Sequence, residues 1–134
     1  FRSAGNLVDG VTALVAVMDA AALDIAVRPG GDHGDARMVL RTGTDALAHA
    51  RAVLGIGAAP VRAAMLTEEG FELGAARLTE AGFDGGDDAA GAWDRFVRLR
   101  RGYASDAVVV GRRMLSPPAP WMGEWPGPAP ASDD

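Results

Sequence analysis

Residues 7–27 constrain the fold more than any other part of the sequence, because they form an almost wholly apolar segment. Three acids interrupt it, Asp9, Asp19 and Asp24, and the longest run without a charge, residues 10–18, covers about half of the roughly 20 residues that a membrane span requires. An aspartate near the centre of a bilayer costs several kcal/mol. The segment is therefore predicted to be a core helix of a soluble domain.

Apolar residues recur at steps of three and four along most of the chain, which is the spacing of one face of an α-helix. In the first segment the stripe consists of Leu7, Val11, Leu14, Met18, Ala22 and Ile25. The spacing predicts helices over residues 4–27, 35–54, 67–81 and 88–115. Thr67 is expected to cap the third helix, Gly55 and Gly82 to end the second and third, and the prolines after residue 116 to stop the fourth.

The predicted fold class is all-α. It comprises a single four-helix domain over residues 1–115, either a bundle or an orthogonal variant of one, and an extended Pro/Gly/Ala-rich tail over residues 116–134. With 49% hydrophobic residues, the chain can build a core of ordinary size. The expected packing anchors are Trp93, Phe96 and Tyr103. We also expect a structural polar contact between Asp19 and Arg41.

Composition excludes several classes of function. The formal net charge is −5 at pH 7, whereas binding to nucleic acid needs a positive surface. The absence of cysteine excludes disulfides, thiolate zinc sites and cysteine nucleophiles. The sequence starts at Phe1 and not at a methionine, so we interpret it as a piece of a longer polypeptide. No signal peptide is recognisable in it.

Two histidines are the first candidates for site chemistry. His33 lies between Asp32 and Asp35, a group that could be a metal cluster or a capped turn with a solvated histidine. No further ligand has the right spacing, so the capped turn is favoured. His49 is expected at the edge of the core on the second helix, because no serine or cysteine nucleophile has a recognisable context.

Two glycine-rich segments superficially resemble ligand-binding loops. Residues 55–60 lack the third glycine and the preceding strand of a dinucleotide-binding loop. Residues 84–88 lack the alternating acids and closing glutamate of a calcium loop and are interpreted as an acidic turn. No pair of carboxylates suggests acid–base catalysis. We therefore predict no enzymatic activity, no catalytic residues, no cofactor and no metal.

Arginines crowd one stretch of the predicted fourth helix, at Arg95, Arg98, Arg100 and Arg101. They can be interpreted as a solvated face that pairs with nearby acids such as Asp94. Alternatively, Arg95, Arg98 and Arg101 contact anionic lipid headgroups or the acidic face of a partner.

Several runs, in order along the chain, carry a family resemblance. They are FRS at 1–3, LVAVMDAAAL at 14–23, ARMVLRTG at 36–43, LTEE at 66–69, LTEAGF at 78–83, Ala92 and Trp93 with Arg98 and Tyr103, and PPAPW at 117–121. Together they resemble the soluble part of bacterial two-helix potassium-channel-like proteins, which are common in actinobacteria and carry a short pore-forming membrane portion. Residues 55–64 have little of the family's character.

The resemblance implies a non-enzymatic domain of an ion-channel-like membrane protein, at the cytoplasmic face of the cell membrane, serving assembly or gating. Its expected partners are the membrane-embedded pore portion of the same polypeptide and further copies in a homo-oligomer. The carbonyl-lined filter that replaces an ion's hydration shell is absent from this sequence. An alternative is a free-standing helical module that binds a small apolar ligand or a protein partner between its helices.

Overall fold

The computed structural model describes residues 4–57, 67–83 and 90–114, with side chains from residue 10 onward. Within these ranges the regular structure is wholly helical, which confirms the predicted all-α class. The helices are α1 (Ala4–Val27), α2 (Gly34–Val53), α3 (Glu68–Glu80), α4 (Ala92–Arg101) and α5 (Ala104–Met114). The acidic turn at 84–88, the tail at 116–134 and most of the loop after α2 lie outside the described residues.

Helix ends form where the sequence predicts them. Gly55 and Gly82, just after α2 and α3, have φ angles of 65° and 91°, the left-handed region that favours glycine. The amide of the residue that follows each glycine donates to a carbonyl in the last turn of the helix, at 3.1 and 3.0 Å. At the start of α3, Thr67 Oγ1 accepts a hydrogen bond from Gly70 N at 3.1 Å, so Thr67 caps this helix.

The predicted fourth helix is broken in two. Gly102 N donates to the Leu99 carbonyl at 3.2 Å and Tyr103 N to the Arg100 carbonyl at 3.1 Å, which are the three-residue steps of a tightened 3₁₀ turn. Glycine favours a break at this point, since it is about 1 kcal/mol less favourable in a helix interior than alanine. The described chain therefore has α4 and α5 where one helix over 88–115 was expected.

The core is built around α1, which contacts all four of the other helices. One buried cluster lies toward its N-terminal half and consists of Val15, Met18, Leu47, Tyr103 and Ala107. A second lies toward its C-terminal half and consists of Ala22, Ala26, Val27, Phe71, Ala92 and Phe96. Of the predicted apolar stripe, Met18 and Ala22 are buried and Val11 and Leu14 pack against the first cluster. Val15 and Ala26 are buried core residues that the predicted stripe did not include.

An aromatic group fills the second cluster. The Phe71 ring lies 5.2 Å from Phe96 and 5.5 Å from Trp93 between centroids, and the last two rings stack at 6.2 Å. Offset and edge-on pairs of this kind add about 0.5–1.5 kcal/mol each to the free energy gained by burial. Phe96 is buried, whereas Trp93 keeps part of its surface in solvent. Through these rings α3 and α4 are held to each other and to α1.

Candidate functional site

A buried cluster of polar side chains surrounds Asp19 of α1. Arg100 Nε donates to Asp19 Oδ1 at 3.0 Å, and Arg100 Nη2 reaches Oδ2 at 3.4 Å. The Tyr103 hydroxyl donates to Oδ1 at 2.5 Å. All three residues are buried, with relative exposures of 2–6%. Asp19 therefore links α1 to the last turn of α4 and to the residue that precedes α5.

The local sequence explains why Arg100 enters the core. Trp93, Phe96, Arg100 and Tyr103 follow one another at steps of three and four, so they occupy one face of a helical segment. That face packs on α1, and the charged head of Arg100 arrives opposite Asp19. The aliphatic stem of arginine can be buried among apolar side chains while its guanidinium meets a carboxylate.

The electrostatics of this cluster favour a fixed structural contact and not a catalytic role for Asp19 or Tyr103. Burial, and then the negative charge and hydrogen bond of Asp19, raise the pKa of the Tyr103 phenol far above its ordinary value. The tyrosine therefore remains a neutral donor. A general base needs access to a substrate proton, and this carboxylate is enclosed by its two partners. We interpret the Asp19 cluster as a structural connection.

The expected contact between Asp19 and Arg41 does not form. Arg41 lies exposed on α2, and Arg100 takes the place beside Asp19. The reason is register along α2, where the buried positions that face α1 are Gly43 and Leu47. Ion pairing between α2 and α5 instead involves Arg51 and Asp106, whose Nη1 and Oδ1 lie 2.6 Å apart.

A second polar cluster joins the end of α1 to the start of α2. The Arg28 guanidinium binds the Asp24 carboxylate, with Nε 2.8 Å from Oδ1. His33 Nδ1 lies 3.1 Å from the other oxygen of Asp24, and His33 Nε2 lies 2.5 Å from the backbone carbonyl oxygen of Arg28. The His33 side chain has no exposed surface. Arg28 also lies over the Phe83 ring, 5.4 Å from its centroid, beyond the end of α3.

His33 therefore differs from both interpretations of the sequence. It is not solvated, and its partners are Asp24 and Arg28 rather than Asp32 and Asp35, which are exposed. Asp32 does act at the turn, because its Oδ1 accepts from Gly34 N at 3.1 Å. Across the described ranges no three histidine, cysteine, aspartate or glutamate residues are grouped so that they could hold a metal ion.

The remaining candidate residues occupy different environments. Arg95 Nε donates to the Ala26 carbonyl at 2.9 Å and thereby satisfies a backbone oxygen at the end of α1. Arg98 and Arg101 are exposed on α4, as is His49 on α2. The predicted cluster of arginines is thus divided between two residues in contact with α1, Arg95 and Arg100, and two at the surface.

One further feature of α1 concerns its surface. The window Gly10–Val27 is long and apolar enough to cross a membrane by length and composition, and 33% of it is buried inside the structure. Its exposed residues include Gly10, Ala13, Val17 and Ala20. Because they follow at steps of three and four, they form one apolar face of α1, opposite the core.

Comparison of the sequence with protein-family models, with curated proteins and with solved structures finds no match.

Proposed function

We propose that this chain is the non-enzymatic cytoplasmic domain of an ion-channel-like membrane protein, and that it serves assembly or gating of the pore. In this proposal residues 1–115 form one helical bundle or an orthogonal variant of one, residues 116–134 an extended tail, and the domain lies at the cytoplasmic face of the cell membrane. Its partners are the pore portion of the same polypeptide and further copies of the domain. The ordered resemblance of its sequence motifs to potassium-channel-like proteins motivates the proposal.

The observation that carries it is the uncovered apolar face of α1. The Val17 side chain is 54% exposed, and its neighbours on that face, Gly10, Ala13 and Ala20, are exposed and carry no polar group. Small residues at this spacing let a second helix approach closely. A domain that assembles beside a pore needs such a face, whereas an isolated domain gains nothing from leaving it in water.

Asp19 supports a place beside the membrane rather than within it. Removing this buried carboxylate from Arg100 and Tyr103 leaves an unpaired charge, and taking that charge to the bilayer centre adds several kcal/mol more. The exposed apolar face of α1 is therefore better suited to contact with another protein surface than to insertion into a bilayer. Arg98 and Arg101, exposed on α4, are available to anionic headgroups or to an acidic partner.

Light scattering on the purified chain tests the assembly role. We expect an oligomer that dissociates when Val17→Glu places a charge on the face of α1. Val53→Glu is the matched control, because Val53 is likewise an exposed valine, 72% accessible, at the end of α2. Circular dichroism verifies that both variants keep their helices. A wild-type chain that stays monomeric at high concentration, or equal behaviour of the two variants, contradicts assembly through α1.

Sequencing the parent gene upstream of Phe1 tests the membrane context. Two apolar spans of roughly 20 residues flanking a filter-like glycine-rich loop are expected. A start codon close to Phe1 without such spans would instead favour the alternative, a helical module that binds a small apolar ligand or a protein. The two experiments are independent, since self-association through α1 does not require the pore.

A further inference from the structure

The contacts of His33 restrict its protonation state. A neutral imidazole has one N–H donor and one bare nitrogen that can only accept, whereas the protonated ring donates from both nitrogens. Here Nδ1 faces a carboxylate oxygen of Asp24 and Nε2 faces the carbonyl oxygen of Arg28. Both partners are acceptors only. The geometry is satisfied when His33 donates twice, as an imidazolium.

Among the described residues, the ring nitrogens of His33 have no hydrogen-bond partner besides Asp24 and the Arg28 carbonyl. The side chain is wholly buried, so solvent cannot supply a donor. The charged groups that contact the ring or its partner are the Asp24 carboxylate of α1 and the Arg28 guanidinium just after α1. On the side of α2, Asp32, Asp35 and Arg37 are exposed. In a neutral ring, the nitrogen without a proton would place its lone pair against a lone pair of the Asp24 carboxylate or of the Arg28 carbonyl oxygen, and the two would repel each other.

The ring also lies against the turn that joins α1 to α2. The Arg28 carbonyl that binds His33 accepts a second hydrogen bond from Gly31 N at 2.9 Å, which closes the turn after α1. A side chain at Gly31 would meet the imidazole at 3.0 Å, so the turn is packed directly against the ring. Through Arg28 and its contact with the Phe83 ring, the same cluster reaches the end of α3.

We propose that His33, Asp24 and Arg28 form a proton-dependent latch, which holds the end of α1 to the start of α2 and to Phe83 while His33 carries two protons and loosens when it loses one. The ligand of this switch is the proton itself. Histidine is suited to the role, because its ordinary titration falls near physiological pH. The latch belongs to the described chain alone, and it operates whether or not the domain accompanies a pore.

Nuclear magnetic resonance of the imidazole nitrogens tests the protonation state directly. The sequence has two histidines, and exposed His49 supplies a second set of ring resonances for comparison. We expect both ring nitrogens of His33 to carry a proton in the folded protein at neutral pH. A bare Nδ1 or Nε2 on His33 in the folded protein at neutral pH would overturn the proposal.

Unfolding measured against pH tests the latch. The unfolded chain releases the second proton near pH 6.5, the ordinary histidine value, so the unfolding equilibrium constant is expected to rise by up to about tenfold per pH unit above it. The variant Asp24→Asn provides the sharp comparison. The side-chain amide of the variant can donate a hydrogen bond to an unprotonated Nδ1, so the variant is compatible with a neutral His33. The pH dependence of its unfolding equilibrium constant is therefore expected to disappear.

His49→Gln is the matched control and is expected to keep the pH dependence of the wild type. In the wild-type chain, exchange of the Gly31 amide hydrogen is expected to accelerate as the latch loosens. A wild-type stability that does not change between about pH 6 and 8 contradicts the latch. If Asp24→Asn keeps the same pH dependence of stability, a titratable group other than His33 causes that dependence, which also contradicts the proposal. If Asp24→Asn does not fold, the protonation of the two His33 ring nitrogens in the wild type, measured by nuclear magnetic resonance, decides whether the proposal holds.

Discussion

Gly43 on α2 provides the sharpest test of how α1 and α2 pack. A Cβ at this position would lie 2.4 Å from Met18 Sδ and 2.9 Å from both Met18 Cγ and Cε. Three atoms of one side chain would thus be closer than van der Waals contact allows. Met18 has no exposed surface, so the side chain cannot swing into solvent to make room. We predict that Gly43→Ala destabilises the fold, although alanine is the better helix former.

The expected magnitude is the difference of two opposing effects. Alanine in a helix interior is favoured over glycine by about 1 kcal/mol. Overpacking of a well-filled core costs about 1–3 kcal/mol, and a clash that involves most of the Met18 side chain belongs at the upper end of this range. We therefore expect a net loss of about 1–2 kcal/mol in the free energy of unfolding.

Urea denaturation followed by circular dichroism measures this change, with Gly10→Ala as the matched control. Gly10 is also helical, on α1, and a Cβ there meets nothing within 4 Å, so alanine is expected to stabilise the chain at that position. In a double-variant cycle, Met18→Val should recover part of the loss at Gly43, since it removes the outer atoms of the clash. Equal stabilisation by Gly43→Ala and Gly10→Ala would refute the packing of α1 against α2.

Three further predictions concern buried side chains. Phe96→Ala is expected to lower the free energy of unfolding by about 3–5 kcal/mol. Trp93→Ala is expected to lower it by less, because the Trp93 ring is partly exposed. Urea denaturation that ranks the two losses in the opposite order would contradict the orientation of α4. Asp19→Ala leaves the buried Arg100 without the carboxylate that pairs with it and is expected to cost about 3–5 kcal/mol of stability. Arg41→Ala at the surface should change stability by about 0.5 kcal/mol or less. Equal losses in the two variants would contradict the Asp19 cluster. Because the folded state raises the pKa of Tyr103, the stability it contributes is complete below about pH 10 and is lost as the pH rises above this value. Tyr103 is the chain's single tyrosine, so tyrosinate absorbance should appear together with the loss of helical circular dichroism, and its appearance in a folded chain would show that the hydroxyl is not buried.

Apolar periodicity predicts α1, α2 and α3 well, and the ends of α2 and α3 also carry explicit signals. Thr67 supplies a side-chain acceptor for a free amide, and Gly55 and Gly82 adopt the left-handed conformation at low cost. The division between α4 and α5 carries only a weak signal. Gly102 is a single glycine within a helical pattern, and such residues are often tolerated, so the break depends on tertiary packing of the segments on either side.

The polar clusters show where pattern reasoning from the sequence fails. Arg100 lies among other arginines and is easily assigned to a solvated face, yet its spacing from Trp93, Phe96 and Tyr103 places it on the buried stripe. That spacing is a signal that the sequence contains. For His33 there is no comparable signal, since its burial depends on how the turn after α1 folds back onto Asp24. Local spacing does not specify such a contact.

The Asp19 cluster and the uncovered face of α1 lead to one conclusion about this helix. Its composition would suit a bilayer as well as a protein core, so hydrophobicity alone does not decide between them. Asp19 favours the core, because Arg100 and Tyr103 satisfy its carboxylate while α1 lies against α4 and α5. The apolar residues on the opposite face, including Val17, are exposed and available to a surface outside the described helices. We therefore propose a partner protein as the occupant of this face, with α1 kept in the core.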